Sequence, residues 1–181
     1  HGTYSEQELL KNIHEWSQSL HQKLKEHGQA NPTLLDMGST LTAVLFVSSM
    51  IFLIHAGDTK LFRFRNNYLV KISQDHSLSA ITHDPSVPKN IIVNAFGVRD
   101  KVQPDIINIT GKVLPGDILI LCSDGITDGI EEEELENYIK DIKKKGNKLI
   151  LTKNYVDVKN YKSTIKNYLK AVVDYTYTLN K

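Results

Sequence analysis

The sequence predicts an α+β domain of layered helices and antiparallel strands, and three observations carry that reading. A helical stripe opens the chain, the apolar period then shortens to that of strands, and helical patterns return in the last third. That order of elements excludes the strand–helix alternation of a parallel nucleotide-binding sheet. At 181 residues the chain suits one domain across 1–181, large enough for a continuous core without covalent staples.

The first helix is announced by Ser5-Glu6-Gln7-Glu8, the capping-box pattern in which Ser5 and Glu8 satisfy free amides reciprocally. Leu9, Leu10, Ile13, Trp16, Leu20 and Leu24 continue it as an apolar stripe that stops at Gly28. The stripe places Trp16 in the core. Leu41 to Val47 and Met50 to His55 are β-branched and aromatic runs split by two serines, which predicts a hairpin. Lys60 to Arg65 and Tyr68 to Ile72 form a second pair across the turn Asn66-Asn67. Asp75 to Pro88 reads as a loop with one short helix. Ile106 to Ile109 and Ile118 to Leu121 are further strands, separated by Gly111 and the turn Pro115-Gly116-Asp117. Glu131 to Lys145 is a helix with glutamates at its start and lysines at its end, as the macrodipole favours. A polar connector, 146–160, leads to a last amphipathic helix over Lys162 to Leu179.

A net charge of +1 advertises neither nucleic acid nor an anionic membrane as partner. The lysines of the last third read as a solvated helical face. The longest apolar stretch, Leu41 to Ala56, is shorter than the roughly 20 residues of a membrane helix and is interrupted by Ser48-Ser49. A single cysteine, Cys122, excludes an intrachain disulfide and fits a reducing, cytoplasmic setting. Its place at the end of an apolar run predicts a small buried hydrophobe, not a nucleophile.

Two acidic turns carry the chemistry. Asp58, in Gly57-Asp58-Thr59, and Asp124, in Ser123-Asp124-Gly125, each follow an apolar strand and adjoin a glycine. A short carboxylate at a strand end sits at the rim of a sheet, where glycine lets a ligand or a backbone carbonyl approach. Oxygen donors gathered this way suit hard divalent cations such as Mg²⁺ and Mn²⁺. Asp and Gly are also common turn residues, so either turn alone has a structural explanation.

The surrounding segments supply the context. Met37-Gly38-Ser39-Thr40-Leu41 precedes the first strand, and Gly57-Asp58-Thr59-Lys60-Leu61-Phe62 follows the second. Asp75-His76-Ser77 and Asn94-Ala95-Phe96-Gly97 come next, and Pro115-Gly116-Asp117 leads into Cys122-Ser123-Asp124-Gly125-Ile126-Thr127-Asp128. This ordered series resembles the metal-dependent protein phosphatase family, type 2C, from about Met37 to Asp128. The resemblance implies a four-layer α-β-β-α sandwich of antiparallel sheets flanked by helices, with metals in a cleft at one edge. It also implies a hydrolase that removes phosphate from phosphoserine and phosphothreonine in proteins through a metal-activated water, with two to three Mn²⁺ or Mg²⁺ ions. By position, Asp124 matches an aspartate on a core metal ion and Asp58 one associated with a third, weaker site. Asp128, just past the metal turn, and Gly125 match positions that support the ligands without touching the metal. Met37 to Thr40 matches a segment that seats a strand, and His76 is expected to be a surface or hydrogen-bonding histidine, not a general acid.

The chain departs from the family pattern at both ends. The opening strands with a phosphate-binding arginine and an Asp-Gly-x-Gly-Gly turn are missing, and so is the closing Asp-Asn segment; Asp157 and Asp174 lie in the wrong places to replace it. No catalytic residue proper is therefore expected within this chain, and the chain alone is expected to be nearly inactive. Three explanations follow: a fragment of a longer domain, which is favoured, strands supplied by another chain, or a degenerate relative. The missing strands are also expected to leave apolar surface from Leu41 to Ile54 uncovered. The expected partner is a phosphoprotein and the intact form a monomer. The alternative function is a non-catalytic, phosphatase-like regulatory or scaffold domain. The phosphatase reading requires Asp58 and Asp124 to face one cation-binding cleft.

Overall fold

The computed structural model describes residues 4–144 apart from 85 and 89. The expected last helix, its connector, Lys145, Asp157 and Asp174 lie outside the described residues. Within them the chain forms two compact units, one built from 4–61 with 73–113 and the other from 62–72 with 114–144. Both carry antiparallel strands and helices, so the α+β expectation holds.

In the first unit, α1 (Glu6–Ala30) begins with the expected capping box: Ser5 Oγ accepts from Glu8 N, and Ser5 N donates to Glu8 Oε2. It runs two residues past Gly28, to an Asn31 cap whose Nδ2 donates to His27 O. The strands β1 (Leu41–Val47) and β2 (Met50–Ala56) form the predicted hairpin, and β2 is also paired antiparallel to β5 (Asp105–Asn108). Strand alternation points Phe52 and Ile54 at α1, where they pack with Leu9, Ile13, Leu41, Ala43 and Leu45. A second cluster, Ala56, Phe96 and Val102, takes Leu20 and Leu24 of the helix.

One expectation fails here and another holds in part. Trp16 is 49% exposed. The buried line of α1 runs Leu9, Ile13, Ser17, His21, in steps of four that place Trp16 off the packed face. The uncovered apolar surface expected from Leu41 to Ile54 is confined to β1, which among the described residues pairs only with β2 and is half-exposed; β2 from Ile51 on is buried.

The second unit holds the sheet β4-β3-β6, from β3 (Lys60–Arg65, whose first two residues belong to the first unit), β4 (Tyr68–Lys71) and β6 (Ile118–Cys122). Asn66 and Asn67 have φ of 51° and 67°, the paired positive values of a tight two-residue hairpin turn. Phe62, Phe64, Leu69, Ile118 and Ile120 present one face to Leu135 and Ile139 of a helix over Glu132–Lys144. Half-buried Cys122 packs there too, as a hydrophobe. The strands β5 and β6, adjacent in sequence, belong to different sheets. Numbered in chain order, Leu78–Thr82 is α2, the expected short helix, Asp124–Thr127 is α3 and Glu132–Lys144 is α4. No helix among the described residues is long and apolar enough to cross a membrane.

Candidate metal centre

Asp58 stands on a turn that its surroundings hold from every side. Gly57, directly after β2, has φ +115°, and a β-carbon there would lie 2.3 Å from Thr40 Cγ2. Only glycine suits that combination. Both polar groups of Gly57 are bonded to one residue: its N–H donates to His76 Nδ1 at 3.3 Å, and its carbonyl accepts from His76 N at 2.7 Å. Past Asp58, the Thr59 carbonyl accepts from Thr42 Oγ1 at 3.1 Å, and Thr59 Oγ1 donates to Thr40 Oγ1 at 2.8 Å. The Asp58 carbonyl itself accepts from Lys60 Nζ, whose charge is paired with Asp75 at 3.3 Å. Lys60 and Asp75 are largely covered, so each supplies the partner that a buried charge requires.

Beneath this turn lies a polar row that local sequence did not reveal. Thr42, His55 and Asp105 face one another across β1, β2 and β5 in register. His55 is fully buried and donates through Nε2 to Gln74 O at 2.9 Å, while Nδ1 meets Thr42 Oγ1 at 2.8 Å. Burial pushes the His55 imidazole below its ordinary pKa and the neighbouring His76 adds to that, against opposing pulls from Gln74 O, Asp105 and Asp75. The His76 ring lies 4.8 Å from that of His55, and its Nε2 is 3.1 Å from Asp105 Oδ2. His76 is thus the hydrogen-bonding histidine expected from the sequence.

In the second unit Asp124 is the first residue of α3, a four-residue helix where the sequence suggested only a turn. Asp124 and Gly125 are half-buried and Asp128 is exposed. Asp128 caps that turn through its backbone, donating to Asp124 O at 2.7 Å, and Thr127 Oγ1 donates to the same carbonyl. Ile126, on the same turn, packs against the cluster formed by Phe62, Phe64 and Leu135. A separate pair braces the strand ends: Arg65 grips Asp117 through Nε at 2.6 Å and Nη2 at 2.7 Å, and Asp117 also accepts from Leu114 N.

Asp124, Gly125 and Asp128 therefore share one turn of the second unit, and Asp58 belongs to the first. Their oxygens are of the hard type that suits Mg²⁺ or Mn²⁺. Among the described residues, however, no three His, Cys, Asp or Glu side chains gather as a metal cage. The residues present fit the metal as individual donors on braced turns and form only part of a donor set.

Comparison with known proteins bears on the family. A serine/threonine phosphatase of Listeria welshimeri is 29% identical over 136 residues, covering 68% of this chain and 52% of that protein. A Streptococcus pyogenes protein with a provisional protein phosphatase 2C-type name is 28% identical over 182 residues, covering 91% of this chain and 70% of its own length. The chain is similar to the type 2C protein phosphatases. The resemblance to the type 2C phosphatases is borne out. The solved serine/threonine phosphatase PstP/Ppp of Mycobacterium tuberculosis superposes on this chain with a TM-score of 0.58 at 26% identity, over 66% of this chain and 54% of that one. A PstP catalytic domain solved in complex with two manganese ions shares the fold, with TM-score 0.59 and 20% identity over 94% and 66% of the two chains. The chain spans about half the length of the curated relatives first matched, at 52%. A family profile described as a protein of unknown function, DUF327, matches residues 125–181. That match covers less than half of the chain and falls largely outside the described residues.

Proposed function

We propose that this chain contributes to a metal-dependent protein serine/threonine phosphatase, in which Asp124 is a donor to a core ion and Asp58 to a third. The observation that carries the reading is the coincidence of two facts. A protein phosphatase 2C-type relative aligns over 91% of this chain, and the turn bearing Asp58 is braced by bonds from Thr42, Thr40 and His76. Ions bound at such a site supply a water of lowered pKa for attack on phosphorus. This chain's own work is positional. The Gly57 and Thr59 contacts hold the Asp58 carboxylate at the end of β2, and the Asp128 N–H and the Ile126 side chain hold the turn on which Asp124 sits. Holding ligands in advance lowers the cost of assembling a charged site. Gly125 and Asp128 act as supports of the Asp124 turn.

The substrate class under this reading is a phosphoprotein, the metal Mn²⁺ or Mg²⁺, the compartment the cytoplasm and the intact form a monomer. The test is hydrolysis of p-nitrophenyl phosphate and of a phosphothreonine peptide by the protein encoded by the longest open reading frame containing this chain, with and without Mn²⁺. Metal-dependent turnover that Asp124→Asn lowers by on the order of a hundredfold or more is expected, since even residues behind metal ligands typically cost 10–100-fold. Turnover indifferent to Asp124→Asn would overturn Asp124 as a metal donor, and no turnover at all would favour the non-catalytic scaffold.

A further inference from the structure

We infer that Asp105 is a positioning residue for the Asp58 turn and acts by fixing the tautomer of His76. The argument begins at His76 Nδ1. Two N–H donors approach it: the Gly57 backbone at 3.3 Å and Asn94 Nδ2 at 3.0 Å. The Asn94 amide is held in that orientation by Gln103, because Nδ2 donates to Gln103 O at 2.7 Å and Oδ1 accepts from Gln103 N at 3.1 Å. Flipping it would turn both bonds into repulsions. The Gly57 donor is backbone and has no alternative role. Nδ1 must therefore carry a lone pair, and the ring proton of the neutral imidazole belongs on Nε2.

Asp105 meets that proton. Its Oδ2 lies 3.1 Å from His76 Nε2, and a carboxylate can only accept there. In the opposite tautomer Nδ1–H would face two N–H groups while the Nε2 lone pair faced a carboxylate, so three contacts would turn repulsive together. Asp105 thus selects the ring state that lets His76 accept from Gly57. The consequence reaches the turn, because His76 also donates its own N–H to Gly57 O. One residue closes a ring of two bonds around Gly57, immediately before Asp58. Carboxylate-oriented histidines are a general device for fixing which ring nitrogen is free to act. Here the free nitrogen accepts from a backbone amide and orients a turn.

This inference rests on the phosphatase reading only for the purpose of the turn; the tautomer itself is independent of it. The experiment uses the full chain, ¹⁵N-labelled, in long-range ¹H–¹⁵N correlation spectra that distinguish a bare from a protonated ring nitrogen. Wild-type His76 is expected as the Nε2–H form, with a protected Gly57 amide. Asp105→Leu should mix the tautomers and speed Gly57 exchange by about tenfold, the loss of one ordinary hydrogen bond. Asp105→Asn, which retains an acceptor, should keep both signals near wild type. His76→Asn places an oxygen where Nδ1 was and should restore Gly57 protection that His76→Leu loses. A wild-type Nδ1–H tautomer overturns the inference, with or without folded variants, and so does unchanged Gly57 exchange in Asp105→Leu. Mn²⁺ titration followed by electron paramagnetic resonance separates the two levels. Mixed tautomers in Asp105→Leu with Mn²⁺ affinity unaltered there but lowered in Asp58→Asn would overturn the positioning role of Asp105. Affinity unaltered in Asp58→Asn would overturn Asp58 as a metal donor and leave the tautomer assignment standing.

Discussion

Replacing Gly57 by alanine should damage this protein more than the same change at Gly111, and the structure says by how much. Two separable costs arise. The first is conformational: φ of +115° lies in a region that L side chains rarely adopt, worth about 1–3 kcal/mol. The second is steric, because the new β-carbon would lie 2.3 Å from Thr40 Cγ2 and 2.5 Å from Thr40 Cβ. Thr40 cannot simply swing aside, since its hydroxyl accepts from Thr59 and the residue leads directly into β1. Overpacking of that kind costs about 1–3 kcal/mol. The sum, roughly 2–6 kcal/mol, is a large share of the 5–15 kcal/mol typical of a domain. Gly111→Ala provides the control, for its φ is +80° but nothing lies within 4 Å of the added carbon. It should cost only the backbone portion, about 1–2 kcal/mol. Urea unfolding of both variants measures the difference as a shift in midpoint at constant slope. Thr40→Ser removes Cγ2 but keeps the hydroxyl, so it should recover part of the Gly57→Ala loss in a double-mutant cycle. If Gly57→Ala costs no more than Gly111→Ala, the packed-turn argument is wrong.

Two further outcomes test other parts of the fold. Leu135 is fully buried between α4 and the β4-β3-β6 sheet, so Leu135→Ala should lose about 2–5 kcal/mol in the same unfolding assay; a loss below 1 kcal/mol would contradict that packing. Burial pushes the Asp117 carboxyl up, but the paired Arg65 bonds and the Leu114 N–H outweigh it and hold the group below its ordinary value of 3.8. A depressed folded-state value means the stabilisation is complete above 3.8 and is lost as pH falls through the folded-state value. Acid unfolding below about pH 4 should therefore be less steep in Asp117→Asn than in wild type, and identical acid limbs would refute the assignment.

What could be read from the sequence, and what could not, divides along the range of the interactions. The β3–β4 hairpin was legible because Asn66 and Asn67 both tolerate positive φ, and the first helix because Ser5 and Glu8 lie three residues apart. Trp16 was misplaced for a specific reason. The buried line of α1 continues through Ser17, whose Oγ donates to Ile13 O, and His21, whose Nδ1 accepts from Gly97 N–H, and hydrophobicity alone cannot select a serine over a tryptophan. Helix α3 is too short for any period to appear.

The candidate site follows the same division. Gly57 and Asp58 were legible as turn chemistry, but Asp105 was not, because its role depends on the register between β2 and β5, which no local motif encodes. His55, opposite Asp105 in that register, looked like the end of a strand and is instead the buried floor beneath His76. A carboxylate intended for a cation needs a fixed position before the cation arrives, or each binding event must also order the loop. The residues that provide that fixity here come from two strands, β1 and β5, and from the segments that follow β4 and precede β5. They have no common spacing, so only the folded chain brings them to Asp58.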